Sequence, residues 1–286
     1  MSKIILSAET GSDLPVDLAA KLGVLLIPMH VSLGDQTLDD GTFPATDVCA
    51  YYDRTGKVPT TSGSTPYDFE QIYDRVFAEN PETQILHLAY SAVTTCSYHS
   101  GELAIEDKPY KNQVRLVDTK HVSVGQCACV CTMAAWLDAH PEATLAEAAA
   151  AAEDICAHTE MSFLPSNLDY LRAGGRVSNA AAMVGNLLQL HPCIDIIDGK
   201  LIAGKKYRGQ MVKVLPSLIR DFDKKHSPKK DHVYLIHSPY LSDDVRKAAE
   251  DTLTELGYAG YTWIPTGCVI TCHGGPGAFG IVASTK

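Results

Sequence analysis

The residues richest in chemistry lie near the end of the chain, in Cys272-His273-Gly274-Gly275-Pro276-Gly277-Ala278-Phe279-Gly280. One titratable imidazole stands among four glycines and a fixed proline. Glycine admits φ > 0 and close backbone approach, so such a run can turn consecutive N–H groups toward one point. With a histidine at its lip, that concavity suits an anionic head group, a carboxylate or a phosphate. Taken alone, the run more often marks a tight turn between two strands. Two hydroxyl-rich segments change the balance. Pro59-Thr60-Thr61-Ser62-Gly63-Ser64-Thr65-Pro66 directly precedes a helix, whose N-terminus offers free N–H groups and partial positive charge. Ser64 or Thr65 suffices to cap it, so Thr60, Thr61 and Ser62 are surplus. Ser91-Ala92-Val93-Thr94-Thr95-Cys96-Ser97-Tyr98 stands between a strand and a helix.

Ser91 and His273 also suggest a nucleophile and base, hence a small acyl-ester hydrolase or acyl-transfer enzyme. No G-x-S-x-G elbow surrounds a serine, and no acid is placed by the sequence to orient the histidine. Nucleotide use lacks a signature as well. There is no G-x-x-x-x-G-K-[ST], and Gly174-Gly175-Arg176 follows a helix instead of a strand.

The elements that must position these segments alternate. Lys3–Ala8 reads as a strand, then a helix over Pro15–Leu22 with Asp13 as its cap, then a strand over Val24–Leu33. Helices follow near Thr46–Asp53 and from Thr65 to Ala78, a strand at Thr83–Ala89, a helix at Ser97–Glu106 and a strand at Val114–Asp118. Two Ala-rich helices occupy Val124–Ala139 and Thr144–His158. This order predicts a parallel sheet wrapped by helices, with ligands at the carboxyl ends of its strands, where the two hydroxyl segments converge.

After Met161 the pattern becomes mixed α+β. Helices are expected at Asn167–Ala173 and Asn179–Leu190, and a hairpin over Cys193–Ala203 turns at Asp198-Gly199. A helix (Met211–Phe222), a strand (His232–His237), a helix (Ser242–Leu256) and strands at Tyr261–Pro265 and Gly280–Ala283 complete the chain. The expected organisation is an N-terminal α/β domain, residues 1–160, and a C-terminal α+β domain, residues 161–286.

Composition narrows the classes. The 286 residues are 45% hydrophobic and 20% charged, with a net charge of −10, which argues against nucleic acid. The Lys224, Lys225, Lys229 and Lys230 cluster has no interleaved aromatic and is bracketed by Asp223 and Asp231, so it reads as a solvated face. No window approaches the roughly 20 apolar residues of a membrane span, and the N-terminal apolar run is too short for a signal peptide, so a cytoplasmic protein is expected. Nine cysteines, an odd number without a C-x-x-C pair, read as small buried hydrophobes in a reducing compartment, with no metal.

Read together, the segments resemble the DegV family, the fatty-acid-binding subunits of bacterial fatty acid kinases, over essentially the whole chain. Glu9-Thr10-Gly11-Ser12-Asp13-Leu14-Pro15 resembles the family's D-S-x-x-D-L-P, with Glu for Asp. Thr60–Pro66 is similar to T-T-S-x-P-S-P, Ser91–Tyr98 to S-S-G-L-S-G-T-Y with a divergent interior, and Val117-Asp118-Thr119 to V-D-S. Leu171–Ser178 is similar to L-x-K-G-G-R-I-S, and His273–Gly277 to H-x-G-P-G. The resemblance implies two α/β domains with one fatty acid of roughly C14 to C18 buried between them, its tail dominating affinity through methylene burial. It implies no cofactor and no catalysis by this chain; a separate ATP-dependent kinase phosphorylates the carboxylate. Carried over, Thr61, Ser91 and His273 are the carboxylate contacts, with Ser62, Gly274 and Gly275 beside them and Thr94 or Thr95 as substitutes for Ser91. An acyl tunnel would be lined by Ala181, Met183, Val184, Leu187 and Leu188, although ordinary core packing explains that helix equally well. Arg172, Arg176 and Arg208 would face the kinase. Membrane contact would be at most transient.

Overall fold

The structure, a computed structural model, describes residues 4–166, 168–178 and 190–286. The first half runs β1 (Ile4–Glu9), α1 (Val16–Leu22), β2 (Leu25–Ile27), β3 (His30–Leu33), β4 (Gln36–Asp39), α2 (Thr46–Thr55), β5 (Thr60–Ser62) and α3 (Pro66–Glu79). It continues through β6 (Gln84–Ala89), α4 (Ser97–Ile105), β7 (Val114–Asp118), α5 (Ser123–Ala139) and α6 (Leu145–Ala157). The second half contains β8 (Thr159–Leu164), α7 (Leu168–Gly174), β9 (Val177–Ser178), β10 (Leu190–Ile197), β11 (Lys200–Arg208) and α8 (Met211–His226). Then follow β12 (Val233–His237), α9 (Asp243–Glu255), β13 (Tyr261–Pro265), α10 (Cys268–Gly274) and β14 (Phe279–Ser284).

Three sheets result: a parallel four-stranded sheet ordered β2-β1-β6-β7, a mixed seven-stranded sheet ordered β13-β12-β14-β8-β10-β11-β9, and a small antiparallel sheet ordered β4-β3-β5. The central strand β6 is buried on both faces, with Ile85, Leu86, Leu88 and Ala89 at 0% exposure, as its nearly unbroken apolar run requires. Helix α5 contacts β1 and β6 of the first sheet and β8, β12 and β14 of the second. Its Ala, Gly and Cys residues suit that role, because a Cβ at Gly125 would sit 3.0 Å from Met161 Sδ. Cys127 and Cys129 are fully buried in it, as the small-hydrophobe reading requires. Among the described residues no cluster of His, Cys, Asp or Glu is arranged for a metal, and no helix is long and apolar enough to cross a membrane.

Several expectations change. The strand expected over Val24–Leu33 is two strands in different sheets, β2 parallel to β1 and β3 antiparallel to β4 and β5. Pro28 marks the break, since it has no N–H to give a ladder. Asp13 does not cap α1. It takes the left-handed region at φ 58°, and its carboxylate bonds Gly267 N and Ser123 Oγ instead. Residues 159–164 form a strand where a helix end and a pattern change were expected. Leu190 opens β10, and the rest of the helix expected at 179–190 lies outside the described residues. The hairpin turn is as read, with Asp198 and Gly199 both at positive φ.

Candidate functional site

The parallel strands β6 and β7 release their loops on the side facing the seven-stranded sheet, and a cavity opens there. Tyr90, Thr94 and Thr95 follow β6; Val122 and Ser123 follow β7; Met161, Phe163 and Phe279 come from the second sheet. Helix α10 gives Val269, Ile270, His273 and Gly274, and β5 with its following residue gives Thr61, Ser62 and Gly63. Most of this wall is apolar, with Thr61 and His273 among its polar members.

There Thr61 Oγ1 and His273 Nε2 lie 2.8 Å apart, joining residues 212 positions apart in sequence. The His273 ring is deep in the protein yet keeps part of its surface open to the cavity. Burial, and beyond it the Arg176 guanidinium, push its imidazole down to about 4, so it is neutral at physiological pH. Among the described residues its Nδ1 has no hydrogen-bond partner. An orphaned buried N–H is costlier than an orphaned lone pair, which assigns the proton to Nε2, donating to Thr61. The Thr61 hydroxyl hydrogen is then left to point at a ligand. His273 also requires Gly174: a Cβ there would stand 2.3 Å from Nδ1.

The run from Cys272 was read as a glycine turn or concavity; instead His273 occupies the last turn of helix α10. Two carboxylates hold its start. Asp13 Oδ1 accepts from Gly267 N at 2.6 Å, and Asp40 Oδ1 from Cys268 N at 2.8 Å. Burial raises both carboxyls, strongly for Asp13. The Gly275 N–H donates to Thr271 O at 2.9 Å, closing the helix, so it is not the free amide the sequence suggested. Gly274 does line the cavity.

Ser91 is placed differently from expectation. It is fully buried, does not line the cavity, and donates 2.8 Å to Gly199 O in the β10–β11 turn. The divergent segment instead exposes Thr94 and Thr95 to the cavity, the substitutes its altered interior allowed. Ser91 and His273 are therefore not a nucleophile–base pair: His273 faces Thr61, and no acid stands behind it. A serine–histidine–acid alignment does occur, Ser7 Oγ 2.9 Å from His87 Nδ1 with His87 Nε2 3.4 Å from Glu9 Oε1. All three are 0% exposed and none lines the cavity described above, so it is internal structure. Burial alone would raise the Glu9 carboxyl, but His87 and the bonds from Tyr90 N–H and Gln126 hold it below its usual value.

The helix start at α3 is not an open anion site. Asp68 fills it, accepting from Thr65 N at 2.6 Å in a capping box. Of the three arginines, Arg176 reaches the cavity, exposed, with Nη1 2.7 Å from Gly174 O. Arg172 pairs with Asp169, and Arg208 ends β11 on the surface; neither lines the cavity. Ala181, Met183, Val184, Leu187 and Leu188 lie outside the described residues. The sequence missed Tyr90, Ser123 and Thr266 as lining residues. Position after a parallel strand was the available signal for the first two.

Fold and site together define an α/β protein with a largely apolar cavity at strand carboxyl ends, its wall holding the hydrogen-bonded Thr61–His273 pair. The sequence matches the DegV family, described as uncharacterised proteins, over residues 3–286, and the chain belongs to that family. A DegV domain-containing protein of Streptomyces coelicolor is 29% identical over 99% of each chain. A Thermus thermophilus DegV family protein, whose structure is described as fatty acid binding, is 27% identical with a TM-score of 0.87, covering 99% of this chain and 100% of that one. A Thermotoga maritima DegV protein described as lipid binding is 26% identical with a TM-score of 0.84 over 99% of each.

Proposed function

We propose that this chain binds one long-chain fatty acid, tail in the cavity and carboxylate at Thr61 and His273, and presents that carboxylate to a separate ATP-dependent kinase. The observation that carries the reading is the Thr61–His273 pair in the wall of a largely apolar cavity. The Thermus relative described as fatty acid binding supports the ligand class. A C16 tail has about 14 methylenes, and at about 0.8 kcal/mol each its burial supplies on the order of 11 kcal/mol before ordering costs. The head-group bonds then offset desolvation of the carboxylate and set its direction.

A neutral imidazole and a hydroxyl suit a carboxylate that must later act as nucleophile. The His273 Nε2–H orients the Thr61 hydroxyl, which donates to the carboxylate without the tight ion pair that would occupy its lone pairs. In the kinase step a carboxylate oxygen attacks the γ-phosphorus of ATP, the bond to ADP breaks, and acyl phosphate and ADP result. Arg176 at the cavity edge is suited to the kinase or its nucleotide; Arg172 and Arg208 extend that surface. The reading keeps two domains, 1–160 and 161–286, with the ligand between them, and takes Ala181, Met183, Val184, Leu187 and Leu188 as further tunnel wall.

Native mass spectrometry of freshly purified protein, followed by solvent extraction and lipid identification, tests it. A single co-purifying long-chain fatty acid, weakened or lost in Thr61→Ala and His273→Ala, is the expected result. A mass that stays that of the bare chain after incubation with fatty acids overturns the reading.

A further inference from the structure

The strand that carries Thr61 is short: β5 has three residues and, among the described residues, pairs only with β3, Thr61 opposite Val31 and Ser62 opposite His30. His30 lies across this small sheet in a row with Asp39 of β4 and Ser62 of β5. Its Nδ1 is 2.9 Å from Asp39 Oδ1, and its Nε2 is 3.0 Å from Asp68 Oδ2 on α3. The His30 and Asp68 side chains are largely shielded, at 15% and 13% exposure. Ionised carboxylates only accept hydrogen bonds, so an imidazole that bonds one through each nitrogen must carry both protons. We propose that His30 is a positioning residue for the head-group strand: held as an imidazolium between Asp39 and Asp68, it clamps the small sheet to α3, keeps Thr61 against His273, and loosens the site as pH rises.

The geometry identifies what would be lost. Asp39 and Asp68 are the charged groups that face the ring, one from β4 and one from α3, and β5 offers Ser62, which does not titrate. Removing a proton leaves a lone pair facing a carboxylate oxygen, so one bond becomes a repulsion. Burial would lower the imidazole, but hydrogen bonds and charge from Asp68, then Asp39, raise it above its usual 6.5. A raised basic group stabilises the clamp fully below the unfolded value, and that contribution is lost as pH rises through the folded one. His273, neutral down to about 4, contributes nothing in this window. By linkage, each unit by which the clamped state raises the pKa of His30 makes that state about tenfold more favoured at low pH than at high.

The inference rests on the fatty acid reading for its functional consequence, so the experiment has two readouts. The first is release of parinaric acid, a fluorescent polyene fatty acid, from preloaded protein between pH 5.5 and 9. Wild-type release is expected to accelerate several-fold with rising pH, while His30→Gln releases fast at every pH. The second is the ring-nitrogen NMR of His30 and the amide shift of Thr61 in unliganded protein. Both nitrogens protonated at pH 6, titrating above 6.5 in step with Thr61, is the expected result. Equal slopes in wild type and His30→Gln, or a singly protonated ring at pH 6, overturns the proposal. If parinaric acid fails to bind at any pH, the ligand reading fails alone, and the NMR still decides the clamp. Should His30→Gln not fold, Asp39→Asn retains an acceptor at Nδ1 and is expected to move both midpoints to lower pH; unmoved midpoints overturn the proposal.

Discussion

At the scale of single residues, the site depends on His273 being neutral. The imidazole gives up water for a largely apolar cavity with a guanidinium nearby, so its proton is held only below about 4. Mildly acid pH therefore does not charge His273, and anion binding gains nothing from it there. It also fixes a sign for stability. An unfolded histidine takes up its proton near 6.5, whereas the folded one waits until about 4, so the unfolded state binds more protons between those values. Stability contributed by His273 is therefore intact above 6.5 and lost as pH falls toward 4, by on the order of 3 kcal/mol. Asp13 and Asp40, raised by burial, act in the opposite direction, favouring the fold while protonated. Denaturant unfolding of wild type and His273→Gln across that range separates the two effects. The wild-type curve is expected to fall more steeply toward acid; parallel curves would mean that folded His273 is already charged.

At the scale of elements, α10 shows which parts of the site were legible. The residues of the head-group end announce themselves, because a histidine among glycines and a surplus of threonine hydroxyls before a helix are unusual compositions. The helix that orients His273 does not. Cys-Val-Ile-Thr-Cys-His-Gly carries three β-branched residues in a row, a local preference for strand, and is too short to be stable alone. Its start is held by Asp13 and Asp40, which are 254 and 228 residues from their amide partners, so tertiary contacts override local preference. Strand β5 was hidden for the same reason, since three hydroxyl residues pair only because β3 lies beside them. Helix α7 supplies the other support, through Gly174. Adding a methyl there places a carbon 2.3 Å from His273 Nδ1, and the ring must leave Thr61. Gly174→Ala is expected to weaken fatty acid binding at least tenfold, with about 1–3 kcal/mol lost from stability. A double-mutant cycle gives the cause. If displacement of His273 is the mechanism, Gly174→Ala adds almost nothing to binding loss in a His273→Ala background. Full additivity would place the effect elsewhere.

At the scale of the whole molecule, the cavity wall comes from the seven-stranded sheet and from the loops that follow β6 and β7, and α5 packs against both large sheets. Alternating strands and helices made the parallel sheet legible, but β8, which begins the second sheet, was hidden. Thr-Glu-Met-Ser-Phe-Leu follows a helix with no turn signal, and its partners β10 and β14 come from distant sequence. A ligand that fills such a cavity binds only when the two sheets face each other. Free ligand at about 100 times its dissociation constant then adds about 2.7 kcal/mol, and both sheets share it in one transition. For a chain of this size that is a rise of roughly 4–5 °C in Tm. Ser91 decides whether head-group chemistry contributes to the join. Its bond to Gly199 O ties the β6–α4 loop to the β10–β11 turn and does not face the cavity. Ser91→Ala is accordingly expected to cost about 1 kcal/mol without ligand, while keeping the full ligand-induced rise. Calorimetry with and without a saturating fatty acid measures both quantities on one sample. A rise that collapses in Ser91→Ala would make Ser91 a carboxylate contact, requiring the β6–α4 loop to rearrange when the ligand enters.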